Sequence, residues 1–319
     1  MHRIQLENRE PLAPAIPLPT PWVIFIDPSS YCNFKCKFCM NDKIKDKKAM
    51  EFNLYKKIID DLQEFQNPVK TIRLYGFGEP FMNVYFTDMV KYAKKSDKVL
   101  KVDTTTNAFI LNPVYNCDLI ASGIDRINIS INGMTSAQYR DFTGRNVNFS
   151  KLVSNIEHLY SIKKDTIIFV KINGDCLSEA DKNLFMKTFS PISDGCNIEH
   201  TISCWYDTEV ENIDPDVGVY GQPRESVLVC PYPQYSMTIQ SDGQASVCFL
   251  DWDKRMIIGD ARYQSVKNIW NGERMKAFQK DMLRGRRSEH IICSQCDQLS
   301  GGMPENLDAQ AEEILKRIM

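Results

Sequence analysis

No stretch of this 319-residue sequence is long and apolar enough to cross a bilayer. The longest strong run, WVIFI at residues 22–26, falls far short of the roughly 20 residues a spanning helix needs. The opening MHRIQLENRE lacks the apolar segment of a secretory signal. Net charge is only −2, so no excess of one sign points to nucleic acid or to a membrane surface. There is no internal repeat and no low-complexity tract. A cytoplasmic protein is expected, working on neither nucleic acid nor membrane. In that reducing compartment, eleven cysteines argue against a disulfide framework and for metal binding or catalysis.

What is present from Trp22 to Trp205 is an alternation of strand and helix patterns. The strand candidates are WVIFID (22–27), TIRLYG (71–76), LKVDTT (100–105), RINISI (126–131), TIIFVKI (166–172) and NIEHTISCW (197–205). Between them, Tyr55, Ile58, Ile59 and Leu62 share one helical face, as do Phe149, Leu152, Val153, Ile156 and Leu159. Six strands with helical crossovers predict an α/β fold with a parallel sheet or an open barrel over residues 22–205. Residues 1–21, rich in proline, are expected to run extended over the surface. After residue 206 the rhythm changes. A hairpin is expected over 234–250 around an Asp-Gly turn, then helices at 265–270 and 273–283 and a terminal amphipathic helix. Residues 206–319 are therefore read as a smaller second domain.

Cys32, Cys36 and Cys39 follow the first strand at a C-x3-C-x2-C spacing. Loops at that end of parallel strands carry chemistry in α/β proteins. Three thiolates can hold three irons of a [4Fe–4S] cube and leave the fourth open to a small molecule. A zinc ion with a fourth ligand from elsewhere is the alternative. Lys43, Lys45, Lys47 and Lys48 come directly after and could steer an acidic flavodoxin or ferredoxin to the site.

The octapeptide CNFKCKFC, with Phe38 as its aromatic residue, resembles the signature of the radical SAM superfamily. YGFGEP (75–80) resembles that family's Gly-Gly-Glu-Pro stretch, TTTNAF (104–109) its third-strand Thr-Asn-Gly stretch, and ISINGMTSAQY (129–139) its Ser-x-Asp-Gly strand, with Asn132 in place of Asp. The resemblance covers about residues 22–205 and implies a partial (β/α)6 barrel. It further implies S-adenosylmethionine bound to a three-cysteine [4Fe–4S] cluster, and a 5′-deoxyadenosyl radical that takes a substrate hydrogen. By the same resemblance Phe38, Gly76, Phe77, Gly78, Glu79, Asn107, Ser130 and Arg140 (or Arg145) are the cofactor-binding candidates, and a flavodoxin or ferredoxin is the reductant.

A second cysteine set comprises Cys230, Cys248, Cys293 and Cys296. Twelve residues precede Gly243 after Cys230, four separate Gly243 from Cys248, and 44 more lead to a C-x2-C. Four thiolates suit zinc or an iron–sulfur cluster alike. The spacing resembles the SPASM/twitch extension of radical SAM enzymes in its shorter form, and its long gap resembles that of aminocyclitol-oxidising members. That implies one auxiliary [4Fe–4S] cluster with no open iron, suited to taking an electron. The implied reaction is dehydrogenation of a hydroxyl on a small aminocyclitol, sugar or sugar conjugate. Candidates for the base are Lys171, Glu199 and His200 on late strands. Cys117, Cys176, Cys196 and Cys204 stand apart and are expected to be small buried apolar residues. Cys204 is the one that would serve as hydrogen donor if the reaction were an epimerisation. Radical modification of a peptide or protein is a further reading, against which stand only 21 residues before the first strand. A non-catalytic zinc or iron–sulfur module is the remaining one.

Overall fold

The computed structural model describes residues 10–205 and 213–319. The first nine residues of the expected arm and the expected boundary at 206 lie outside them. Six strands alternate with helices: β1 (Val23–Ile26), α1 (Phe52–Asp60), β2 (Val69–Arg73), α2 (Phe86–Lys95), β3 (Val99–Thr106), α3 (Pro113–Ala121), β4 (Arg126–Ile131), α4 (Ser136–Thr143), α5 (Phe149–Ile162), β5 (Ile167–Asn173), α6 (Glu179–Phe189) and β6 (Gly195–Glu199). The helices α3 to α6 start where polar side chains take their free N–H groups, while α1 and α2 have no such cap. Asn112, Thr135, Asn148 and Ser178 each accept a backbone N–H from the first turn of the helix they precede.

The C-terminal region adds α7 (Tyr232–Tyr235), β7 (Ser236–Ile239), β8 (Gln244–Ser246), β9 (Ile257–Asp260), α8 (Val266–Trp270), α9 (Glu273–Leu283), α10 (Ile291–Ser294), α11 (Gln298–Gly301) and α12 (Ala311–Ile318). All nine strands form one sheet, in the order β6-β5-β4-β3-β2-β1-β7-β8-β9. Neighbours from β6 to β1 are parallel, and β7 also joins β1 in parallel. Only β8 and β9 run antiparallel to their neighbours. The fold is thus a partial parallel α/β barrel with an antiparallel, helix-bearing C-terminal extension. Among the described residues no helix is long and apolar enough to cross a membrane.

Strand alternation decides what fills the inside. On β4, Ile127, Ile129 and Ile131 are buried, while Arg126, Asn128 and Ser130 keep some exposure on the other face. The buried set joins Tyr55, Ile58, Leu62 and Ile156 from the helices in one large core.

Three expectations change. β6 ends at Glu199, because its partner β5 ends at Asn173 opposite it, so His200 to Trp205 lie beyond the strand. β9 was not expected. The arm does not merely lie on the surface: Leu12 and Ile16 are buried with Val229, Leu283, Leu307 and Ile314. Its backbone is held by Glu305, which accepts from Leu12 and Ala13, and by Arg317, which donates to Ala13 and Pro14.

Candidate functional site

The loop after β1 carries Cys32, Cys36 and Cys39, and the loop after β2 is clamped against it. Asn41 Nδ2 donates to Ser30 O at 2.8 Å and to Phe77 O at 2.7 Å. Glu79 N donates to Tyr31 O at 2.9 Å. The approach is closest at Gly78, where a Cβ would lie 2.0 Å from Ser29 O and 2.5 Å from Tyr31 O. A Cβ on Gly76 would lie 2.5 Å from Asp27 Cγ. Both glycines are therefore needed for close packing, whatever ligand they face. Phe77 packs on Trp205 and Phe38 on Phe142. Asn107 Nδ2 reaches Asn33 Oδ1 beside Cys32 at 2.8 Å. Arg140 is exposed on α4, whereas Arg145 stands over Phe109, whose ring meets Phe34 of the cysteine loop. The residues after Arg140 also meet the loop, for Phe142 O and Thr143 O accept from Lys37 N and Lys35 N.

Glu79 is buried and ties the strand ends together. It accepts from Thr106 Oγ1 at 2.6 Å, Asn107 N at 2.8 Å and Phe81 N at 3.3 Å. Burial pushes its pKa up to about 7, partly offset by those hydrogen bonds. Burial pushes buried Asp27 up to about 7 as well. Folding thus favours the protonated forms. For Glu79 that contribution is complete below its unfolded value near 4.5 and is lost as pH rises through about 7. The size is on the order of 3 kcal/mol, at about 1.4 kcal/mol per pH unit of displacement. The melting temperature of cluster-free protein should fall between about pH 5 and 8, and Glu79→Gln should remove roughly half of that slope. A melting temperature that rises across this interval would refute the assignment.

A cavity of about 580 Å³ occupies the barrel interior, a size that suits a small molecule. Its barrel side presents Arg73, Asp103, Arg126, Asn128, Lys171 and Glu199. Lys171 Nζ lies 2.9 Å from Glu199 Oε2. Burial pulls the Lys171 pKa down, but the adjoining carboxylate more than reverses this, and the ammonium persists. His200 pairs with Asp175 at 2.7 Å and does not line the cavity. Nor does Cys204, which sits beside Cys296. Of the solitary cysteines, Cys117 and Cys176 are exposed, contrary to expectation.

The opposite wall is aromatic and polar: Phe25, Tyr232, Tyr235, Phe249 and Gln298. Phe249 stacks on Phe25 at 4.8 Å and meets Tyr232 edge-on at 5.2 Å. Tyr232 is two residues from Cys230, Phe249 adjoins Cys248, and Gln298 is two residues from Cys296. Along the chain Cys230, Cys248 and Cys296 thus adjoin this wall, and Tyr232 feels Cys230 and Cys248. Sequence reasoning named Lys171 and Glu199 but passed over the aromatic wall, Arg73, Asp103 and Arg126, although the alternation in RINISI already set Arg126 and Asn128 on one face.

The donor sets fit iron–sulfur chemistry. Burial pushes Cys32 up to about 11 and Cys36 and Cys293 to about 12, and raises Cys39, Cys230, Cys248 and Cys296; neighbouring cysteines add to this at Cys32, Cys36, Cys230, Cys248 and Cys293. Such thiols ionise only against a cationic partner. Backbone N–H groups already point at sulfur, from Phe34 to Cys32, Leu250 to Cys248 and Gln298 to Cys296, each at 3.4 Å. Among the described residues no three His, Cys, Asp or Glu side chains converge on one metal-ion position. A cubane, which seats each thiolate on its own iron, asks for no such convergence.

Comparison with known proteins follows the same division. A model of the radical SAM superfamily matches residues 26–183, and a model of an iron–sulfur cluster-binding domain, SPASM, matches residues 230–297. The chain is 30% identical over 116 residues to the tungsten-containing aldehyde ferredoxin oxidoreductase cofactor-modifying protein of Pyrococcus furiosus, covering 36% of this chain and 32% of that protein. It is 28% identical over 145 residues to GTP 3',8-cyclase of Vibrio parahaemolyticus, covering 44% and 42%. The matches span less than half the length of these curated relatives. The solved structure of BtrN in complex with AdoMet and 2-DOIA superposes with a TM-score of 0.58 at 18% identity, over 90% of this chain and 97% of that one. At that identity the likeness is one of fold.

Proposed function

The chain carries a radical SAM domain followed by a SPASM cluster-binding domain, and on that premise we propose that it removes two electrons from a hydroxyl of a small hydroxylated molecule. The first domain binds S-adenosylmethionine and a [4Fe–4S] cluster, and the second an auxiliary iron–sulfur cluster. Cys32, Cys36 and Cys39 would hold the first cluster, and Cys230, Cys248, Cys293 and Cys296 the second. When bound, these groups supply a hydrogen-abstracting radical and an electron acceptor.

The observation that carries this reading is the position of the cavity. It lies between the inner face of the barrel and the aromatic wall that adjoins the second cysteine set along the chain. A substrate there would lie on the side of the chain segments that carry the second cysteine set. The chain's own side chains then orient the substrate, exclude water and take the hydroxyl proton. Glu199 is the carboxylate placed for that last task, with the Lys171 ammonium beside it. Cys204, off the cavity, is badly placed to return a hydrogen atom, which favours oxidation over epimerisation. The reductant is proposed to be a flavodoxin or ferredoxin. It would be drawn by Lys43, Lys45 and Lys48, which are exposed beside the first loop.

Anaerobic turnover tests the reaction. One 5′-deoxyadenosine per product lighter by two hydrogens is expected, and a product at unchanged oxidation level would sink the proposal. Glu199→Gln should lower product formation by about a hundredfold or more. A variant within about threefold of the wild type would relieve Glu199 of the role.

A further inference from the structure

One end of the cavity carries a row of charge that the oxidation does not use. Strand pairing sets Arg73 opposite Asp103 and Asp103 opposite Arg126, and all three line the cavity. One carboxylate thus faces two guanidinium groups. Asp103 Oδ2 lies 3.5 Å from Arg73 Nε, too long for a hydrogen bond at that nitrogen, which is buried without a partner. Arg73 gives one terminal N–H to Tyr75 Oη at 3.1 Å. Arg126 gives its Nε–H to Asn128 Oδ1 at 2.9 Å, and among the described residues its terminal N–H groups meet no protein acceptor. Phe25 and Phe169 lie 5.5 and 5.1 Å from the two guanidinium carbons and brace them from the side.

Elsewhere in the cavity the cations are paired and the one charge left over is the negative Glu305. Lys70 pairs with Glu10, Lys171 with Glu199, and Glu305 accepts backbone N–H groups from Leu12 and Ala13. The surplus positive charge is therefore local to this row. A guanidinium withdrawn from water without a counter-ion is costly, and an incoming anion removes that cost. Burial indeed pulls the Arg126 pKa down, and Asp103 only partly restores it. The fork of N–H donors on each arginine matches the oxygens of a carboxylate or phosphate.

We propose that Arg73 and Arg126 form the subsite for an anionic group of the substrate, a carboxylate or a phosphate. The enzyme would then act on an acidic hydroxylated compound, not on a cationic aminocyclitol. The proposal rests on the cavity being the substrate site.

Titration calorimetry on reconstituted holoenzyme with S-adenosylmethionine bound, using glucose, glucosamine, glucuronate and glucose 6-phosphate as probes, separates charge from the sugar frame. At least one of the two acids should bind about tenfold or more tighter than glucose, and glucosamine no tighter than glucose. Which acid gains more tells carboxylate from phosphate. Arg126→Gln should abolish the preference and Arg126→Lys should restore part of it. Asp103→Asn should strengthen acid binding, a change of opposite sign that a damaged fold does not produce. Equal binding of all four probes, no binding of either acid up to about 10 mM (a free energy weaker than about 3 kcal/mol), or a preference that survives Arg126→Gln would each overturn the proposal. The titration needs no reductant, so its failure is separate from any failure to cleave S-adenosylmethionine or to oxidise a substrate.

Discussion

Replacing Cys36 with alanine should end 5′-deoxyadenosine formation, whereas replacing Cys230 should spare it and remove the oxidised product. The two sets differ in number. Cys32, Cys36 and Cys39 are three donors, so a cube held by them keeps one iron open, and losing any one leaves too few thiolates to hold it. Cys230, Cys248, Cys293 and Cys296 are four, and a cluster held by all of them would have no corner for a small molecule. Each variant should drop from about eight irons per chain to about four. Their reaction products then diverge: nothing from Cys36→Ala, and 5′-deoxyadenosine without a two-electron product from Cys230→Ala. Iron analysis of anaerobic preparations and chromatography of the nucleoside and the product read both effects. A Cys230→Ala enzyme that still oxidises substrate at the wild-type rate would strip the second cluster of its role. A Cys36→Ala enzyme that still cleaves S-adenosylmethionine would overturn the first assignment.

Gly78→Ala should cost both stability and cleavage. The added methyl would stand 2.0 Å from one carbonyl oxygen and 2.5 Å from another. Both are backbone atoms: Tyr31 O accepts from Glu79 N, and the intervening Ser30 O accepts from Asn41 Nδ2. Neither can swing aside as a side chain would. Overpacking of this kind costs about 3 kcal/mol, and the melting temperature should fall by about 5–10 °C. The loops must part to admit the methyl, so the first cysteine loop shifts with respect to the end of β2. 5′-Deoxyadenosine formation should fall by about a hundredfold, because small misplacements near reacting groups have effects of that order. A wild-type melting curve with wild-type cleavage would show that the clamp is dispensable.

Local pattern carried far in the sequence. RINISI reads as a strand with two faces, and β4 is that strand. ERMKAFQKDML became α9 without a residue's change. Nonlocal facts were out of reach. The tail of NIEHTISCW alternates well enough for a strand, yet β5 offers no partner past Asn173. The parallel union of β7 with β1 joins segments more than two hundred residues apart, and no periodicity announces it. Prolines in the arm suggested a solvated segment, but Leu12 and Ile16 have a groove waiting near α9 and α12. Motifs located the cysteines and glycines. They were silent on Arg73 and Arg126, which close β2 and open β4, where only the neighbouring strands reveal what they face.

The β1–β7 pairing bears on how an electron would travel. β1 runs straight into the first cysteine loop, and β7 connects Cys230 to the hairpin before Cys248. Asp27 N donates to Ile239 O just past both strands, and Ser241 Oγ donates to Ser30 Oγ at 3.2 Å. The segments leading to the first cysteine loop and out of Cys230 are therefore splinted by the β1–β7 ladder and by the Ser241–Ser30 contact beyond it. On the ligand assignment proposed above, the tunnelling gap between the clusters is set when the sheet forms. It should stay constant through turnover, leaving the timing of transfer to the chemistry in the cavity.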